Sequence, residues 1–122
     1  MHKILIVDDE EALLKNIADF LTVKGYQVFT STDGDSGLEL LKKNNPHLMV
    51  LDLHLKEGPT GTQILRVAKM LKPDIKVIMF TGFGEEDDAK DNCLSLGADA
   101  FLSKPTSLKS LTETIEKLLE GK

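Results

Sequence analysis

Lys3-Ile4-Leu5-Ile6-Val7-Asp8-Asp9-Glu10 opens the chain with an apolar run that stops on two acids. A run that is apolar at every position, rather than at every second one, marks a strand covered on both faces. The same punctuation recurs three times. Leu48-Met49-Val50-Leu51 runs into Asp52, Val77-Ile78-Met79-Phe80 into Thr81, and Ala100-Phe101-Leu102-Ser103 into Lys104-Pro105. In a parallel sheet all these polar groups fall on one carboxyl edge, where open α/β sheets place their binding crevices. Three carboxylates, a hydroxyl and an ammonium gathered there suit a small hard cation and a phosphoryl group.

Between the runs the period changes from strand to helix. Leu13, Leu14, Ile17, Phe20 and Leu21 form a helical stripe over 10–24, closed by Gly25 in the position a left-handed cap favours. A second strand follows over 26–30, with Val28 and Phe29 as its apolar residues. Asp35 or Ser36 is placed to cap a helix carrying Leu38, Leu40 and Leu41, which must stop before Pro46. The third strand occupies 47–51 and a helix runs over 62–71. The fourth strand covers 76–80. A weakly amphipathic helix over 85–96 ends at Gly97, the fifth strand spans 99–103, and Leu108, Leu111, Ile115, Leu118 and Leu119 stripe a last helix over 107–119. Five strand–helix repeats with right-handed crossovers give a doubly wound α/β fold, helices on both faces of a five-stranded parallel sheet. The order 2-1-3-4-5, flavodoxin-like, makes the first and third strands neighbours and brings Asp8, Asp9 and Asp52 together.

Composition narrows the function classes. The 122 residues are enough for one domain with a core of ordinary size, so 1–122 reads as a single domain, either whole or cut from a longer chain. A net charge of −5 argues against direct nucleic-acid contact by this domain. Cys93 is alone, which makes a reducing cytoplasm the expectation. No apolar stretch approaches the roughly 18–20 residues that span a bilayer, so no membrane role is expected. The first residues do not read as a signal peptide.

The residues themselves define the chemistry. Two carboxylates about 4 Å apart repel by roughly 4 kcal/mol at an effective dielectric near 20. Three of them must hold a proton or bind a cation. Carboxylate oxygens, a backbone carbonyl and water make a site for Mg²⁺, or for Mn²⁺ with the same oxygen donors. On this reading Asp52 is the nucleophile that becomes an aspartyl phosphate, and Asp9 and Asp52 hold the cation. Asp8 helps through a water or hydrogen bond, and Thr81 and Lys104 contact the phosphoryl oxygens.

In this order the motifs resemble the receiver domains of two-component response regulators, a family that includes the single-domain chemotaxis regulators. The resemblance covers the chain: Ile4 to Glu10, Leu51-Asp52-Leu53, Phe80-Thr81-Gly82, Gly97-Ala98-Asp99-Ala100-Phe101 and Lys104-Pro105. It implies a regulatory phosphoacceptor, not a turnover enzyme, taking its phosphoryl group from a sensor histidine kinase or phosphotransfer protein. It implies Mg²⁺ held by Asp8, Asp9, Asp52 and the backbone carbonyl of His54. It also implies a cis peptide at Pro105 and a switch in which the Thr81 hydroxyl moves to the phosphoryl group and Phe101 turns inward. The remodelled face is that of the fourth helix, fifth strand and fifth helix (α4-β5-α5), where an output domain or partner docks. A phosphorylation-dependent homodimer is compatible with the family.

Some residues differ from the family's pattern. Lys56 stands where a proline is usual, and the following glycine arrives one residue late, at Gly61. Thr106 replaces a more apolar residue, and the bulk of Phe83 near the acceptor predicts slow loss of the phosphoryl group. Single residues also have plainer readings: Asp8-Asp9 as strand end and helix cap, Phe101 as core, Cys93 as core filler, and His54 as solvent-facing. A phosphohydrolase of the haloacid-dehalogenase type would need an acid where His54 stands. A flavodoxin-like cofactor binder would need a phosphate loop where Asp8-Asp9-Glu10 stand. A receiver that binds partners without phosphorylation is the remaining alternative.

Overall fold

The computed structural model describes residues 2–53, 55, 58–81, 87–103 and 107–120, and for residues 81 and 87–89 the backbone alone. Among these, strands and helices alternate: β1 (Lys3–Val7), α1 (Glu11–Val23), β2 (Gln27–Ser31), α2 (Gly34–Asn44), β3 (Leu48–Leu51), α3 (Gly61–Leu71), β4 (Lys76–Thr81), α4 (Asp87–Ser95), β5 (Ala100–Ser103) and α5 (Leu108–Glu120). The five strands form one parallel sheet in the order β2-β1-β3-β4-β5. This is the doubly wound arrangement the apolar runs predict.

Alternation along each strand sends side chains into two cores. Leu5, Val7, Met49, Leu51, Val77 and Met79 face one way and meet Leu41 of α2, Ile64, Leu65 and Ala68 of α3 and Cys93 of α4. Ile4, Ile6, Leu48, Val50, Ile78 and Phe80 face the other and meet Leu14, Ile17 and Leu21 of α1 and Leu111, Ile115 and Leu119 of α5. Most of these side chains are wholly buried. Each full burial of a leucine- or isoleucine-sized side chain is worth about 1.5–3 kcal/mol, which accounts for the unbroken apolar runs Ile4–Val7 of β1 and Leu48–Leu51 of β3.

The helix ends follow local chemistry. Gly25, at φ 102°, closes α1 with paired bonds from its own N–H to the Thr22 carbonyl and from Tyr26 N–H to the Leu21 carbonyl. Asn45, at φ 50°, plays the same part for α2 just before Pro46. The cap of α2 differs from expectation: Asp33, not Asp35 or Ser36, accepts the Ser36 N–H at 2.8 Å. An N-cap must precede the first turn so that its carboxylate can reach back to the third helical N–H, and Asp35 and Ser36 already lie inside that turn. At α3, Thr60 and Gln63 form a reciprocal capping box, at 3.2 Å and 2.9 Å.

At the amino edge, Lys69 of α3 reaches the Asp99 carboxylate (2.9 Å) and the Ile75 carbonyl (2.6 Å). The same Asp99 oxygen accepts the Val77 N–H at 2.8 Å, fastening α3, β4 and the start of β5 together. Asp99→Ala should destabilise the fold by on the order of 2 kcal/mol, read as a lowered urea midpoint, with Asp99→Asn recovering part of the loss. Burial pushes the Cys93 thiol up, partly opposed by the Thr62 hydroxyl, and its side chain is fully enclosed. Its alkylation by a maleimide should therefore proceed only as fast as the protein opens, accelerating sharply across the urea transition.

Candidate functional site

The acids of the first and third apolar runs converge because their strands are paired in register. Val7 aligns with Leu51, so the next residues, Asp8 and Asp52, leave the sheet at the same level. Two backbone bonds continue the ladder past the strand ends. Asp52 N–H donates to the Val7 carbonyl at 2.9 Å, and Asp8 N–H donates to the Ser31 carbonyl of β2 at 3.0 Å. The Asp8 side chain is then fixed by the Glu10 N–H, which donates to its Oδ1 at 2.8 Å.

The result is a cluster in which carboxylate oxygens of Asp8, Asp9 and Asp52 lie within 4.8 Å of one another. Asp8 and Asp52 are only 2% and 5% exposed, while Asp9 is half-buried. Two unit charges about 5 Å apart repel by about 3 kcal/mol at an effective dielectric of about 20. A cation relieves all three repulsions at once. Donor chemistry selects its type: oxygen ligands only, no sulfur or imidazole among the three, which favours a hard divalent ion such as Mg²⁺ or Mn²⁺ over Zn²⁺. The residues present therefore fit the expected ion.

The plainer reading of Asp8-Asp9 as a helix cap does not hold. The N-cap position of α1 is Glu10, which makes no side-chain capping bond. Thr81 ends β4 opposite Ser103 of β5, two residues beyond the Met79 that aligns with Leu51, on the same carboxyl edge as the acids. Phe101 is half-buried against the core on the α2–α3–α4 face. His54, Lys104 and Pro105 lie outside the described residues, as do Lys56, Phe83, Thr106 and the side chain of Thr81.

A concavity of about 340 Å³ opens at the amino edge between Pro46, His47, Leu71 and Leu119. It lies at the far end of the strands from the acids, and no group of three potential metal ligands faces it among the described residues. Volume alone is a poor guide here, because a phosphoryl group and a cation need converging charge more than enclosure. No helix among the described residues is long and apolar enough to cross a membrane.

Sequence reading located the acids but not what holds them. The Glu10 N–H bond to Asp8 and the packing of α3 beneath residue 52 leave no mark in composition or period. The Thr60-Gly61-Thr62-Gln63 spacing did carry a readable capping signal.

Residues 4–116 match the response regulator receiver domain family. Sporulation initiation phosphotransferase F of Bacillus subtilis is 32% identical over 118 residues, covering 97% of this chain and 94% of that protein. Response regulator RR06 of Streptococcus pneumoniae is 38% identical over 116 residues, covering 95% of this chain and 52% of that protein. The crystal structure of a CheY-like receiver domain protein from Methanospirillum hungatei superposes with a TM-score of 0.92 at 35% identity, covering 98% of this chain and 95% of that one. The chain spans about half the length of several other curated relatives, 48% and 47% in two of them. Order of strands, placement of the acids and these likenesses agree: the chain belongs to the response regulator receiver domains of two-component systems.

Proposed function

We propose that this receiver is a phosphoryl-accepting switch in which Asp52 is the acceptor, supplied by the phosphohistidine of a sensor kinase or phosphotransfer protein. The observation that carries this reading is the convergence of the Asp8, Asp9 and Asp52 carboxylates. An Asp52 oxygen attacks phosphorus in line with the departing imidazole nitrogen; the P–N bond breaks as the P–O bond forms, and the imidazole leaves with its electron pair and takes up a proton. A bound Mg²⁺ supplies charge neutralisation for the incoming phosphoryl oxygens. Asp8 and Asp9, with the His54 carbonyl, are the remaining protein ligands in this proposal. Lys104 neutralises a phosphoryl oxygen from the other side, with Pro105 in cis to aim it.

The aspartyl phosphate then biases the domain. A charge near −2 at residue 52 draws the Thr81 hydroxyl, and Phe101 follows into the space left behind. The half-buried position of Phe101 on β5 supports this, since a ring between core and surface has two places to go. The face altered is α4-β5-α5, read by an output domain or partner, and phosphorylation-dependent pairing of two copies would use it as well. Such signalling belongs in the cytoplasm, where kinase and phosphoryl donor meet.

Incubation with Mg²⁺ and acetyl phosphate should give one phosphoryl group per chain, abolished in Asp52→Asn. Many equivalents of phosphate released per chain would instead mean a hydrolase, and no labelling at all would defeat the proposal. Like-charge repulsion also predicts opposite effects with and without metal. In EDTA, Asp9→Asn should raise thermal stability by about 1–3 kcal/mol, the repulsion removed. In excess Mg²⁺ it should lose the increment the wild type gains from binding, with the affinity down about tenfold or more. Calorimetry in the two buffers checks both signs.

A further inference from the structure

We propose that Gly61 is a positioning residue for the Asp52 carboxylate: the first turn of α3 is seated so tightly beneath the 52–53 peptide that any side chain at residue 61 would move the acceptor. The inference rests on the phosphoacceptor reading of Asp52 and extends it to a residue that touches neither cation nor phosphoryl group.

The geometry is tight where Gly61 faces the 52–53 peptide. A Cβ built on Gly61 would overlap the Asp52 carbonyl oxygen and would lie 2.7 Å from Leu53 Cα and 2.9 Å from the Leu53 carbonyl oxygen. All three neighbours are backbone, so no side-chain rotation can make room. Gly61 N–H also donates to the Leu53 carbonyl at 3.2 Å, binding the two segments at the point of closest approach. On the helix side there is no slack. Thr60 and Gln63 lock the first turn by their reciprocal bonds, and Ile64, Leu65 and Ala68 anchor α3 in the core with no exposed surface.

On the other side, Asp52 N–H is tied to the Val7 carbonyl at 2.9 Å. Residue 52 is thus held between β1 and α3 by its own peptide groups, N–H to one and C=O against the other. If a methyl group enters at residue 61, the helix cannot retreat without unpacking Ile64 and Leu65. The 52–53 peptide must turn instead, and the carboxylate turns with it, away from Asp8 and Asp9. Sites of this kind lose function steeply when a ligand shifts by about 1 Å.

The test compares wild type, Gly61→Ala and Gly25→Ala. Gly25 has φ 102°, with nothing within 4 Å of a built Cβ, and it follows α1 at the amino edge, so its alanine variant loses stability without approaching the acids. Gly61→Ala should bind Mg²⁺ about tenfold or more weakly, shift the amide resonances of Asp8, Asp9 and Asp52 in the metal-free protein, and slow labelling by acetyl phosphate. Gly25→Ala should match wild type in affinity and in those resonances despite its lower melting temperature. Mg²⁺ affinity for Gly61→Ala within about twofold of wild type would overturn the inference. If Gly61→Ala does not fold, Thr60→Ala decides, because it frees the first turn of α3: Mg²⁺ binding weakened several-fold supports the inference and unchanged binding defeats it. Failure of the wild type itself to bind Mg²⁺ would remove the phosphoacceptor reading. The metal-free spectrum still judges Gly61 in that case, and unmoved resonances at Asp8, Asp9 and Asp52 would overturn its role.

Discussion

The pairing of β1 with β3 is the constraint on which this molecule depends. Those two strands are adjacent in space but 40 residues apart in sequence, and their register sets Asp8 beside Asp52. A slip of one residue would send every side chain of β3 to the opposite face. Leu48 and Val50 would then leave the α1–α5 core and Met49 and Leu51 the other. The apolar content of β3 is the same on both faces, so hydrophobicity alone does not choose the register. The choice comes from shape and from the bonds at the strand ends: His47 N–H to the Lys3 carbonyl at one end, Asp52 N–H to the Val7 carbonyl at the other. Fixing the backbone in this way also fixes the acid.

The two edges of the sheet are built for different ends. At the amino edge, opposite charges meet: Lys69 spans to Asp99, whose carboxylate also accepts the Val77 N–H of β4. Charge there closes the structure. At the carboxyl edge three like charges are gathered, two of them almost wholly buried. Desolvating carboxylates beside one another opposes folding, and the two extensive apolar cores help to offset that cost. A cation bound there would relieve the repulsion and stabilise the folded state by linkage.

Much of this was legible in the residues, for reasons that differ from element to element. Runs such as Ile4-Leu5-Ile6-Val7 are readable because strands buried on both faces favour unbroken apolar sequence, and the polar residue that follows, here Asp8, therefore stands out. Gly25 and Gly97 announced helix ends because both sit at positive φ. The start of α2 is ambiguous in sequence because Asp33, Asp35 and Ser36 are all capping residues within four positions, and only geometry selects Asp33. The Lys69–Asp99 bridge joins residues 30 apart without period or motif. Gly61 was visible as a displaced glycine, but the backbone it lies against could not be inferred from a string of letters.

Where local preference and global structure agree, a residue is explained by stability; where they conflict, function is the better explanation. Most of the described chain agrees with itself: stripes match helices, caps match ends, and no described buried side-chain nitrogen or oxygen lacks a partner. The acid cluster is the exception. Asn at residues 8, 9 and 52 would keep side-chain hydrogen-bonding capacity at every position and remove the repulsion, so selection for stability alone would favour it. Carboxylates there are what the proposed function asks for, negative charge at that point to hold a cation and an acceptor oxygen at Asp52. The close seating of α3 beneath residue 52 fits the same proposal, since a ligand set for one small ion would leave little tolerance in the backbone that carries it.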